Sequence, residues 1–163
     1  MPAPKMRRLQ SEYQAMVALR EQSSLINFVC QSELPTLYEV EFSCRGLYLT
    51  DTVIQIRQNH RCDILLESGF PLLAPKVSWK TPIFHPNFKT PNVCLGDHWY
   101  PLWSIAEMCV TLCEMVQYKI FNIYDPLDHS AALWLHQRLE ERPEDFPIDQ
   151  HPVRDLDFEI SRR

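Results

Sequence analysis

From Thr81 to Trp103 the chain reads TPIFHPNFKTPNVCLGDHWYPLW, and this span carries Pro82, Pro86, Pro91 and Pro101. Proline fixes φ near −65° and lacks an N–H donor, so neither a helix nor a central strand can run through such a stretch. The reading is a stiff, extended loop. A segment of this length without a period, set inside a compact domain, is more often functional than filler. It holds a His85-Pro86-Asn87 triplet, with Asn87 seven positions before Cys94.

What flanks the loop sets the fold class. Residues 4–22 read as an opening helix, with Met6, Leu9, Tyr13, Met16 and Val17 on one face and Arg7, Arg8, Glu12 and Gln14 elsewhere. Strands follow at 25–31, 38–44, 53–66 and 77–79. In the second, Tyr38, Val40 and Phe42 alternate with Glu39, Glu41 and Ser43, the period of a half-buried strand. In the third, Ile54, Ile56, Cys62, Ile64 and Leu66 share one parity. Closely spaced strands with short connections favour an antiparallel meander. After the loop, Ser104 and Glu107 form an S-x-x-E capping box, and Ile105, Met108, Cys109, Leu112 and Val116 fall at helical spacing. NIYDPLD (122–128) is a turn, and Asp128 caps a last helix at about 129–142. The class is α+β. Residues 1–142 are assigned to one catalytic domain and 143–163 to a proline-rich acidic tail.

Composition narrows the function. The net charge is −5 and the pI about 5.6, which gives no broad positive field for nucleic acid. No apolar run approaches the roughly 20 residues a bilayer span needs, and MPAPKMRRLQ has no apolar segment behind its charges, so neither a membrane nor a secretory route is expected. Cys30, Cys44, Cys62, Cys94, Cys109 and Cys113 are scattered, with no CxxC pair. They read as free thiols of a cytoplasmic protein rather than disulfides or a zinc site.

At the loop the residues resemble a known family. TPIFHPNFKTPNVCLG is similar to the active-site segment of ubiquitin-conjugating (E2) enzymes, which carry a His-Pro-Asn triplet, a short loop, then Cys-Leu. GFPLLAPKVSWKTPIFHPN, WSIAEMCVTLCEMV and NIYDPLDHSAALW resemble that family's preceding and following blocks, in the right order, over roughly residues 5–142. The resemblance implies the family's fold: an N-terminal helix, a four-stranded antiparallel meander, the active-site loop and two helices. It implies that Cys94 takes a ubiquitin-like protein from an activating enzyme as a thioester and passes it to an amine, usually a lysine of a protein substrate. No metal or small-molecule cofactor is implied, since ATP is used only by the activating partner. Asn87 would stabilise the oxyanion or organise the loop around it, His85 would hold the turn, and Pro86 would fix its geometry. Asp125 would orient and desolvate the amine, Tyr124 would shield the site, and Leu127 would line the groove floor. Lys5, Arg7 and Arg8 would belong to a docking face for the activating enzyme and a ligase, with Leu72, Ile105 and Ala106 as further contacts.

The chain departs from the family pattern in places. The Asn-to-Cys interval is one residue shorter, the stretch from Gly46 to His60 is longer, Tyr124 stands where an acid is usual, Ile105 replaces a proline, and the tail lacks a fourth helix. These mark a divergent member, of the kind a prokaryotic conjugation system would hold. Two other readings compete: a non-catalytic module that binds a ubiquitin-like protein on the same fold, and a cysteine hydrolase unrelated to conjugation, raised by the His98 that follows Asp97 just after the cysteine. The first usually lacks the cysteine; the second needs a base within reach of Cys94.

Overall fold

The computed structural model describes residues 3–96 and 99–154. Helix α1 (Pro4–Gln22) leads into strands β1 (Ile26–Val29), β2 (Leu37–Thr50), β3 (Val53–Leu65) and β4 (Lys76–Trp79). These form one antiparallel sheet in the order β1-β2-β3-β4, the meander read from the strand spacing. Helices α2 (Ile105–Val116) and α3 (His129–Glu141) follow. Among the described residues no helix is long and apolar enough to cross a membrane.

The core lies between the sheet and the helices. Tyr38, Val40, Phe42 and Cys44 of β2 and Cys62 and Ile64 of β3 meet Met16 of α1 and Ile105, Cys109, Leu112 and Val116 of α2. The β2 alternation breaks at a bulge between Ser43 and Gly46. Before it the even-numbered residues are buried; past it Leu47 is. An extra residue on one strand shifts its parity in this way. Leu47 thereby joins a second apolar cluster with Phe84, Tyr118, Ala131 and Leu135. Gly46 is needed there because a Cβ would stand 2.7 Å from Val116 Cγ1 and 2.9 Å from His60 Cε1. Ile56, which shares its parity with the buried Ile64, is 57% exposed.

On α1, Leu9 and Met16 are buried as expected, but so is Glu12, while Met6 is exposed. Glu12 is tolerated in the interior because it is fully engaged: Arg8 Nε lies 2.7 Å from its Oε1, and Ile105 N donates to its Oε2 at 2.8 Å. It thus satisfies a free amide at the α2 N-terminus. Ser104 accepts from Glu107 N at 3.1 Å, one half of the capping box, but the Glu107 carboxylate turns away to Arg154. Asp128 caps α3 as read, accepting from Ala131 N at 3.1 Å. Residues 143–154 run back over the body: Ile148 N donates to Gln117 O, Gln117 Nε2 donates to His151 O, and Asp149 accepts from Arg45 N.

Candidate active site

The proline-rich span is not wholly free of pairing. Phe88–Lys89 (β5) and Asn92–Val93 (β6) form a two-stranded ribbon, with Phe88 opposite Val93 and Lys89 opposite Asn92. Cys94 N donates to Asn87 O at 2.9 Å, which carries the same register one step further. Residues directly opposite in an antiparallel pair share a face, and successive residues alternate. Asn87, Lys89, Asn92 and Cys94 therefore occupy one face of the ribbon, and Phe88 and Val93 the other.

The Phe88 face rests on the core. Phe88 is buried against Trp79, ring centroids 4.7 Å apart, and Trp79 stacks on Phe42 at 5.6 Å. Trp79 N donates to Pro91 O at 2.9 Å, so β4 holds the ribbon by its backbone as well. His85 packs edge-on to Phe88 and against Tyr118, whose hydroxyl donates to Phe84 O. An aromatic floor of this kind fixes orientation beyond what area burial alone supplies.

The Asn87 face carries the chemistry-bearing side chains. Cys94 is half-buried. The Asn87 amide donates from Nδ2 to Asn122 O and accepts Asn122 N on Oδ1, both at 2.9 Å. Pro86 O accepts Leu127 N at 2.8 Å and Asp128 N at 3.0 Å. The turn from Asn122 to Asp128 is thereby fastened at both ends to the segment that bears Cys94, on the same face of the ribbon as the sulfur. Asn122 Oδ1 accepts Tyr124 N at 2.9 Å, an Asx turn that folds the tip. At that tip Tyr124 is 92% exposed and Asp125 is also exposed, whereas Leu127 is half-buried.

His85 is buried and its Nδ1 accepts Asn87 N at 3.0 Å. Desolvation lowers its pKa to about 3, against a smaller opposing pull from the Ile120 and Met115 backbone. A ring that is neutral, buried and already bonded holds a turn; it does not take up protons at neutral pH. Asn87 likewise has its amide committed to Asn122. Asp97 and His98 lie outside the described residues.

The expected docking residues separate. Lys5 and Arg7 are exposed. Arg8 is turned inward: besides Glu12 it donates to Pro101 O and to Trp103 O and stands over the Phe70 ring. It braces the loop that leads into α2. Leu72 is 80% exposed, as a contact residue must be. Ile105 and Ala106 are not: both are buried, because they are the first residues of the apolar face of α2. Leu102, 96% exposed, projects from the preceding loop instead. Asn122, which the sequence reading passed over, is central to the site; the signal was an Asn two residues before the exposed tip of a turn.

Comparison with known proteins agrees with this arrangement. The family model described as "Ubiquitin-conjugating enzyme" matches residues 8–146. "Ubiquitin-conjugating enzyme E2 16" of Schizosaccharomyces pombe is 33% identical over 75 residues, which is 43% of this chain and 46% of that protein. "Protein PEROXIN-4" of Arabidopsis thaliana is 36% identical over 52 residues, 29% of this chain and 33% of the relative. "Ubiquitin-conjugating enzyme E2 PEX4" of Gibberella zeae is 39% identical over 59 residues, 33% of this chain and 34% of the relative. The chain thus spans less than half the length of each of these relatives.

Proposed function

The chain belongs to the ubiquitin-conjugating enzyme family, and on that premise we propose that Cys94 carries the C-terminus of a ubiquitin-like protein as a thioester and delivers it to an amine. The observation that bears this reading is the placement of Cys94 half-exposed on one face of a braced ribbon, with the Asn122–Asp128 turn fastened across the same face.

Charging is a thiol exchange. The Cys94 thiolate attacks the thioester presented by an activating enzyme, and the enzyme's thiol leaves. A cysteine suits both directions, since sulfur is a good nucleophile and a good leaving group. Discharge is attack by a neutral amine on the Cys94 thioester, forming an amide and releasing the thiolate. Asp125, exposed at the tip of the turn, orients the amine and accepts its proton. Tyr124 beside it limits water access to the acyl carbon. Asn87 acts as a positioning residue that keeps this turn in register with the sulfur. The exposed Leu72, Leu73 and Leu102, with Lys5 and Arg7 of α1, are the residues offered to an activating enzyme and a ligase, and α1 is tied to the two leucine-bearing loops where Lys5 donates to Ser68 O and Arg8 to Pro101 O.

The test is a charging reaction with an activating enzyme, ATP and a panel of ubiquitin-like proteins, resolved on gels with and without reductant. A reductant-sensitive adduct that disappears in Cys94→Ala is the expected result. Capture of a modifier without any covalent adduct would overturn the carrier reading in favour of a binding module.

A further inference from the structure

The donors around Cys94 are mostly in use. Cys94 N donates to Asn87 O, Leu127 N and Asp128 N donate to Pro86 O, and Asn122 N donates to Asn87 Oδ1. Tyr124 N donates to Asn122 Oδ1, and Asn87 Nδ2 donates to Asn122 O. A donor bonded within the fold must break that bond before it can serve a reacting group. The Asn92 side chain is different. It is exposed, and among the described residues no hydrogen bond holds its amide.

Its register is specific. Asn92 lies opposite Lys89, and Cys94 follows opposite Asn87, so Asn92 and Cys94 are alternate residues on one face of the ribbon. Alternate residues of a strand stand about 6.6 Å apart. An amide side chain, a hydrogen bond of about 2.9 Å and the arm from the sulfur to an acyl oxygen together span that gap. The neighbours of Asn92 fix its direction: Trp79 N holds Pro91 O at 2.9 Å, and Val93 packs against the core. A donor on a braced backbone costs little reorganisation when charge develops beside it. Lys89 shares the face, but its ammonium ends a flexible four-carbon stem and has no fixed position.

We infer that Asn92 is a catalytic residue: its Nδ2–H donates to the oxyanion that forms when the acyl group on Cys94 is attacked. The inference rests on the thioester reading of Cys94. In the step, a neutral amine attacks the thioester carbonyl carbon, the C–N bond forms, and the carbonyl electron pair moves onto oxygen. Asn92 holds that oxygen. The pair then returns, the C–S bond breaks, and Cys94 leaves as thiolate. The amine proton goes to Asp125 or to water. The amide itself gains and loses nothing. Charging by thiol exchange passes through the same kind of oxyanion, so Asn92 serves both directions. The division of labour is then plain: Asn87 positions the turn, and Asn92 meets the charge.

The experiment needs no partner protein. The full chain is charged with a synthetic peptide bearing a C-terminal glycyl thioester, the adduct is mapped to Cys94 by mass spectrometry, and its discharge to free lysine is followed over a range of lysine concentrations. Asn92→Ala should slow discharge about 10²-fold, the scale for losing one oxyanion donor, with an unchanged melting temperature. Asn92→Asp keeps the shape but offers no donor, and should slow it at least as much. Both deficits should persist at saturating lysine, because the oxyanion exists only in the transition state and its intermediate. Wild-type discharge in either variant, or a deficit that disappears at saturating lysine, overturns the inference and leaves the carrier reading intact. Absence of any adduct at Cys94 in the unsubstituted chain overturns both.

Discussion

The two flanks of Cys94 are built in opposite ways. On one, His85, Pro86 and Asn87 are buried, with His85 Nδ1 bonded to Asn87 N and with the Asn87 amide and the Pro86 carbonyl bonded to the Asn122–Asp128 turn. On the other, Tyr124 and Asp125 stand exposed at the tip of the Asn122–Asp128 turn. In the proposed transfer the stiff flank sets where the sulfur sits, and the exposed one meets the amine. Residues that position must be desolvated and bonded, because only then is their geometry unique. Residues that exchange protons with an incoming group must keep access to water. On the proposed reading, Asn87 belongs to the first class and Asp125 to the second.

Acid should break the stiff flank with the largest effect. His85 and, behind the bulge, His60 are buried, and desolvation lowers their pKa values to about 3 and about 4 from 6.5. His60 Nε2 lies 3.1 Å from Cys44 O and 3.0 Å from Arg57 O, and burial keeps the ring neutral against the opposing pull of those two carbonyls. A folded-state pKa below the unfolded one means that the unfolded chain takes up protons first as pH falls. Stability is therefore full above pH 6.5 and declines as pH drops toward the folded values, by about 1.4 kcal/mol per pH unit for each ring. At pH 5 the two together should have removed about 4 kcal/mol, read from denaturant midpoints at pH 7 and pH 5. A loss of less than half that would mean one ring is already charged in the folded protein.

Asn87→Ala comes next. It removes both amide bonds to Asn122 and leaves that backbone N–H and C=O without their partner, a cost of about 2 kcal/mol. It should also slow discharge about 10²-fold, the scale for losing a group that organises a reacting centre. The two effects belong together if the residue positions the turn. Slow discharge with an unchanged melting temperature would instead return Asn87 to the role of oxyanion donor.

What the sequence disclosed follows the same division. The helices and the meander were legible because alternation, capping residues and proline breaks are local signals: Ser104 and Asp128 cap as read, and Tyr38 to Phe42 alternate as read. The β5–β6 ribbon was not, since two residue pairs are too few to show a period. Burial of Glu12 was hidden too, because its partner amide at Ile105 lies 93 residues away in the chain. Ile105 and Ala106 were placed on the surface by resemblance, although their position at the start of the apolar face of α2 already pointed inward. Cys94, His85, Pro86 and Asn87 were found by motif; that the Asn87 amide is clasped to Asn122 needed three dimensions.

Asp125→Ala sharpens the contrast from the exposed side and has the smallest effect of the three. Its carboxylate is exposed and anchors neither end of the turn, so the melting temperature should stay within the few tenths of a kcal/mol usual for surface changes. Discharge to free lysine should nonetheless fall by about tenfold, the low end of what a positioned proton acceptor contributes. The deficit should be greatest where the amine is mostly protonated and should shrink as pH rises, because a neutral amine no longer needs help to lose its proton. Single-turnover discharge of the Cys94 thioester, followed from pH 6.5 to 9, reads this directly. A deficit that stays constant across that range would leave Asp125 with orientation alone, and a fall in melting temperature equal to that of Asn87→Ala would erase the distinction between the two flanks.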